Sequence, residues 1–292
     1  MPTDRSKHKD ITIGTLAPMS KGAAYLKLIK DHGFESYELT MGPTIGDIDL
    51  ERTAKEVKNE VDAKLSIGLY GNPLQEEQVA KDWATTIKCA KLFGANVVCG
   101  FAGALEDKPV DESIPRFKEI FGPLARLAED EGVKIAFENC DMGGTWAAPR
   151  VNIAHSPRAW EMMFDAVPSD ALGLEWEPCH QMVSLIDPIP QLRKWVGKIH
   201  HIHGKDATIC WDVIESEGIR AGRDVVWHRT PGFGDTNWAD VISILRLAGW
   251  TGAIDIEGWH DPVYRGDLEM TGQVFALEYL KGCRGGDFIP AV

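Results

Sequence analysis

The sequence predicts an α/β fold, a single (β/α)8 TIM barrel, on three observations. The chain has 292 residues, which suits a barrel of about 250 residues. Eight short apolar or β-rich segments recur along it, and helical periodicity fills the intervals between them. The strand candidates, in order, are ITIGTLAP (11–18), FESYELT (34–40), LSIGLYG (65–71), NVVCGFAG (96–103), VKIAFEN (133–139), ALGLEWE (171–177), KIHHIHG (198–204) and GAIDIEG (252–258). Apolar residues at three- and four-residue spacing mark AAYLKLIKDHG before the second strand and EEQVAKDWATTIKCAKLFG before the fourth, both ending at glycine. IPRFKEIFGPLARLAEDEG, SPRAWEMMFDAV, IPQLRKWVG, TNWADVISILRLAG and MTGQVFALEYLKG continue the alternation to the end. Strand and helix alternating eight times predicts a parallel sheet that closes on itself. A doubly wound sheet would carry a G-x-G-x-x-G fingerprint after its first strand, and the segment there reads GTLAP. With no Pro/Ser-rich linker or shift in composition, residues 1–292 read as one domain. The least regular stretch, 205–237, reads as a long loop following strand seven.

Composition narrows the function classes. Hydrophobic residues make up 44% of the chain, enough for a sizeable core. No apolar run approaches the roughly 18 residues of a membrane span, and the start, MPTDRSKHKD, has no apolar leader region behind its charges. Asp and Glu number 44 against 31 Lys and Arg, for a net charge of -13. That balance opposes the basic stripe of a nucleic-acid binder. Six scattered cysteines form no C-x-x-C pair, which fits a reducing cytoplasm rather than a disulfide framework. A homo-oligomer is compatible with the sequence, which carries no sign for or against one.

Catalytic groups on such a barrel come from the C-terminal ends of its strands. Here strand five ends with Glu138, strand six in LEWEPCH with Glu175, Glu177 and His180, strand seven in HIHGKD with His203 and Lys205, and strand eight in DIEGWHD with Glu257. Several carboxylates and an imidazole at one mouth oppose one another's ionisation unless a cation joins them. Glu138, Glu177, His203 and Glu257 are therefore the expected ligands of one divalent metal. Their oxygen-rich set favours Mn²⁺ or Mg²⁺ and also accepts Co²⁺ or Zn²⁺. Strand alternation puts Glu175 and Glu177 on the same side with Glu177 nearer the mouth, leaving Glu175 as the deeper alternative. His201 either orients a ligand or fills a layer of the barrel. Glu138 and Glu257, flanking the metal, are the expected acid/base pair for moving a proton on a substrate carbon. Trp146, Trp176, Trp211, Trp227 and Trp259 fall at or just after strand ends or in the long loop, where rings stack on a sugar or pack the loops.

These motifs, in order, resemble the xylose-isomerase-like barrel superfamily, in particular its sugar phosphate isomerase/epimerase group with inosose isomerases, inosose dehydratases and ketose 3-epimerases. The resemblance covers most of the chain and rests on Glu138 in FEN, Glu177 in EPCH, His203 in HIHGKD, Glu257 in DIEG and the segment PGFGDTNW (231–238). It implies that Glu138, Glu177, His203 and Glu257 bind the metal, that Glu138 and Glu257 exchange protons, and that His180 contacts substrate hydroxyls. Two departures stand out: the strand-six ligand, usually Asp, is Glu177, and His228 and Arg229 share the place of a single Arg before the P-G-x-G segment. Trp146, Lys205, His228 and Arg229 complete the expected substrate contacts.

The implied activity is isomerisation or epimerisation of a sugar, keto-sugar or inosose through an enediolate, with Mn²⁺ as the first choice of metal. The same residues would serve a lyase or dehydratase, including elimination from a 3-keto-glycoside. AP endonucleases of the superfamily use three zinc ions, but LYGNP and GFAG lack the histidines, and Val226-Trp227-His228 replaces the D-x-H. A non-catalytic sugar- or partner-binding barrel is the remaining alternative, to be favoured if the carboxylates prove to be paired with Lys or Arg.

Overall fold

The computed structural model describes residue 8, residues 10–220 and residues 222–290. The charged start of the chain therefore lies largely outside the described residues. All eight expected strands form: β1 (Ile11–Pro18), β2 (Ser36–Met41), β3 (Lys64–Leu69), β4 (Val97–Gly100), β5 (Lys134–Glu138), β6 (Leu172–Trp176), β7 (Ile199–Gly204) and, as the last, β10 (Gly252–Ile256). Their hydrogen-bonded order, β1-β10-β7-β6-β5-β4-β3-β2, closes into a barrel. The helices are α1 (Gly22–Ile29), α2 (Leu50–Glu60), α3 (Glu77–Phe93), α4 (Val110–Glu131), α5 (Pro157–Ala166), α6 (Pro178–Val183), α7 (Pro188–Trp195), α8 (Trp211–Glu217), α9 (Trp238–Leu247) and α10 (Glu269–Cys283). The expected glycine stops are real, since Gly94 and Gly132 adopt left-handed backbone after α3 and α4. No helix among the described residues is long and apolar enough to cross a membrane.

The stretch 205–237 is more regular than the sequence suggests. It holds α8 and an antiparallel pair, β8 (Asp206–Ile209) with β9 (Val226–Arg229), in which Asp206 faces Arg229 and Ala207 faces His228. Four-residue strands carry too little alternation to register as a pattern.

Contacts group the chain into two compact units. The first comprises Leu16–Trp176 and Lys198–Ile202. In it β2 to β7 pair in parallel, with an irregularity between Leu174 and Glu175 where β6 meets β7. Its apolar packing centres on rings: Trp83 of α3 meets Phe121 of α4 at 5.6 Å, and Phe121 meets Phe137 of β5 edge-on at 4.8 Å. The second unit comprises the chain up to Thr15, Glu177–Gly197 and the chain from His203. There β1 pairs with β10 from Ile11 opposite Gly252 to Thr15 opposite Ile256. The buried Arg284 guanidinium donates to the Ile11 carbonyl at 2.7 Å, tying the end of α10 to this pair.

Candidate metal centre

Glu177, His203 and Glu257 come together in the second unit. Glu177 follows β6 in extended backbone and is the N-cap of α6, His203 sits near the end of β7, and Glu257 follows β10. One ligand atom from each lies within 4.8 Å of the others. All three are buried. His203 Nδ1 is 3.3 Å from Glu257 Oε2 and 3.8 Å from Glu177 Oε2. The Glu257 amide donates to the Gly204 carbonyl at 3.1 Å, extending the ladder one step past β10 and fixing the two strand ends against each other. Two carboxylates and an imidazole in this space are a donor set that suits a divalent ion.

A cation of the chain's own also sits here. Lys205 is buried, and its ammonium donates to Glu257 Oε1 at 2.8 Å. Burial pushes the Glu257 carboxyl up, but Lys205 and His203 pull it further down, and the net lies well below the usual carboxylate range. The pairing named above as favouring a non-catalytic barrel is thus present at one carboxylate. Glu177 instead faces imidazoles, with His180 Nε2 at 2.8 Å.

His180, on α6, is 5.1 Å from the His228 ring on β9, and His228 is 5.7 Å from His260, both edge to face. Burial, then Lys205 and His228, holds the His180 imidazole well below its usual value. Burial, then Lys205 and His260, pushes His228 down to about 4. The Arg229 guanidinium is engaged by Asp261 at 3.4 Å. His260 escaped the sequence reading, although it stands three residues after Glu257 in the quoted DIEGWHD.

The first unit holds Glu138, Trp146 and a network the sequence did not reveal. Glu138 is buried at the end of β5, where Asn152 Nδ2 donates to the carbonyls of Glu138 and Cys140 at 2.9 and 2.8 Å and anchors the turn beyond the strand. Trp146 is half-buried under the Arg158 guanidinium, 4.1 Å from its ring centre. Glu175 belongs to a buried cluster: His201 Nδ1 lies 2.9 Å from Glu175 Oε1 and its Nε2 3.2 Å from Ser66 Oγ. The Tyr70 hydroxyl donates to Glu38 at 2.5 Å and reaches Glu175 at 3.1 Å. Burial first, then Glu175 and Glu38, raises Tyr70 well above its usual value, so it keeps the proton it donates. Trp176 is wholly buried and alternates with Glu175 and Glu177, so it is no part of a mouth; Trp211, Trp227 and Trp259 are exposed.

The family model described as xylose isomerase-like TIM barrel matches residues 26–281. The chain belongs to this family. An inosose dehydratase of Clostridium perfringens is 23% identical over 180 residues, 59% of this chain and 55% of the relative. The chain spans about half the length of the curated relatives it matches. Among solved structures, L-ribulose 3-epimerase aligns with a TM-score of 0.68 and 16% identity, covering 94% of this chain and 96% of that one. The IOLI protein with a binding zinc atom aligns at 0.64 and 18%, covering 93% and 96%. At these identities the structural likenesses show the family's fold alone.

Proposed function

We propose that the protein is a divalent-metal-dependent enzyme that moves a proton on a carbon next to a carbonyl of a small carbohydrate, as an isomerase or epimerase. The observation that carries this reading is the buried gathering of Glu177, His203 and Glu257 at the ends of three barrel strands. Glu138 is proposed as the fourth ligand, and with Glu257 as the acid/base pair. When bound, the metal would polarise the substrate carbonyl and acidify the adjacent C–H. Lys205 and His203 hold Glu257 ionised, the form in which its carboxylate can take a proton, while their pull also makes it a weaker base than a free carboxylate. Returning the proton to the opposite face gives epimerisation, and returning it to the neighbouring carbon gives isomerisation.

Loss of a β-hydroxyl from the same enediolate would make the protein a dehydratase, a reading favoured by the inosose dehydratase relative. Zinc in the IOLI protein supports a zinc-compatible site, while the carboxylate-rich set keeps Mn²⁺ as the first choice. The test is elemental analysis after loading with Mn²⁺, followed by deuterium uptake from D₂O into ketoses, inososes and 3-keto-glucosides. About one metal per chain with uptake into one substrate class is the expected result. A chain that binds no metal and exchanges nothing would support the non-catalytic barrel instead.

A further inference from the structure

Buried carboxylates outside the candidate centre are held in two different ways. In the second unit, the Asp206 carboxylate is enclosed by donors of its own loop. It accepts from the amides of Ala207 at 2.8 Å, Thr236 at 3.0 Å and Gly232 at 3.4 Å, and from Trp238 Nε1 at 3.1 Å. A Cβ on Gly234 would lie 2.4 Å from the same carboxylate, so the PGFG loop (231–234) is wrapped closely around it.

In the first unit, Glu38 and Glu175 are arranged around a shared point. Sheet register sets them up: Glu38 of β2 stands opposite Ser66 of β3, and the irregularity after Leu174 sets Glu175 opposite His201 of β7 rather than His200. Both carboxylates and the His201 ring are buried. Hydroxyls engage one atom of each group. The Tyr70 hydroxyl donates to Glu38 Oε1 at 2.5 Å and lies 3.1 Å from Glu175 Oε2, and Ser66 Oγ is 3.2 Å from His201 Nε2. The other atom of each group turns inward: His201 Nδ1 is 2.9 Å from Glu175 Oε1 and 3.6 Å from Glu38 Oε2. Ligand atoms bound to a tetrahedral ion at 2.0–2.2 Å lie about 3.4 Å apart, a spacing between those two.

We propose that Glu38, Glu175 and His201 form a second metal site, which takes Zn²⁺ and pins β2, β6 and β7 to one another. Two carboxylates buried side by side oppose each other's ionisation, and a divalent ion removes that cost. Tyr70 and Ser66 fix the ligands from behind, the task that outer hydrogen-bond partners perform at metal centres. With its Nε2 proton directed to Ser66, His201 offers Nδ1 to the ion, and the proton that Nδ1 shares with Glu175 leaves to the solvent as Zn²⁺ enters. A compact set of one nitrogen and two oxygens suits Zn²⁺, whereas Mn²⁺ prefers an octahedral oxygen set and leaves this site aside. The site shares no residue with the Glu177–His203–Glu257 centre, and the inference stands without the catalytic reading.

The test is elemental analysis of the full chain, stripped by chelator, loaded with Zn²⁺ and freed of unbound ion. Glu177→Ala, which impairs the other centre, is expected to keep about one zinc per chain, and Glu38→Gln in that background to keep none. A wild type holding one zinc more than Glu177→Ala supports both centres. A wild type holding the same single zinc supports this site and counts against the other. Tyr70→Phe keeps all three ligands, and in the Glu177→Ala background it should weaken zinc binding by about tenfold or more with circular dichroism unchanged. That variant decides the matter if Glu38→Gln does not fold. Absence of zinc from Glu177→Ala, its full retention in Glu38→Gln, or an unchanged affinity in Tyr70→Phe overturns the proposal.

Discussion

Glu257 is shared between an ammonium and an imidazole, and its neighbours predict what its loss does. Glu257→Gln keeps the shape but removes the charge that Lys205 and His203 hold in place. Turnover on the exchanged substrate should fall by about 10³-fold, with Glu138→Gln showing a comparable loss and the circular dichroism of both unchanged. His203→Ala should instead lose metal, read as a stoichiometry well below the wild type's. Full activity in the Glu257 variant would exclude it as an acid/base group. Asp206 predicts a different outcome. Removing its carboxylate in Asp206→Ala leaves several buried N–H groups without their acceptor, a loss of about 3 kcal/mol in a urea melt.

At the scale of elements, two glycines and one histidine carry the argument. Gly68 of β3 leaves room for the Glu38 carboxylate and the Tyr70 ring, which an added Cβ would approach to 2.2 and 2.6 Å. Gly68→Ala should therefore destabilise by about 2 kcal/mol through overpacking, measured by denaturant unfolding. On β7, the half-buried His200 ring lies over Gly173 of β6. Burial, then Lys134 and Lys198, pushes it from 6.5 to about 4. Between those values the unfolded chain binds more protons than the native one. Its contribution to stability is thus full above about pH 6.5 and falls as the pH drops toward 4, by about 3 kcal/mol at most. His200→Gln should flatten that part of the stability profile, and an identical profile in the variant would contradict the assignment.

The same elements explain what could be read in advance. The eight barrel strands were legible because each is a short apolar or β-rich run between helical patterns, and Glu177, His203 and Glu257 because each stands at or near such a run's end. The β8–β9 pair was not, being four residues a side. Nor was the Glu38–Tyr70–Glu175–His201 network, whose members lie 32 and 105 residues apart along two of its bonds and meet only across the sheet. Periodicity reports local faces and is silent on such pairings.

For the molecule as a whole, a ligand that binds only the native state adds to its stability by mass action. Mn²⁺ at 100 times its dissociation constant should add about 2.7 kcal/mol, seen as a rise in Tm of about 5 °C or more that EDTA reverses. An unchanged Tm would count against a metal centre of that affinity. Closure of the barrel also pairs its first and last strands, Ile11 with Gly252, across nearly the whole chain. Contacts so distant in sequence form late because the loop they close is long. Refolding from urea should therefore take on the order of seconds or longer rather than milliseconds.

Asp206 has one more consequence. A carboxylate tethered inside its own loop competes with any anion in solution at an effective concentration far above the millimolar range of free phosphate in a buffer. Phosphate and sulfate should therefore be bystanders at this loop, and the replacement Asp206→Ala, which takes the internal acceptor away, would convert an internally plugged socket into one open to exchange with the medium.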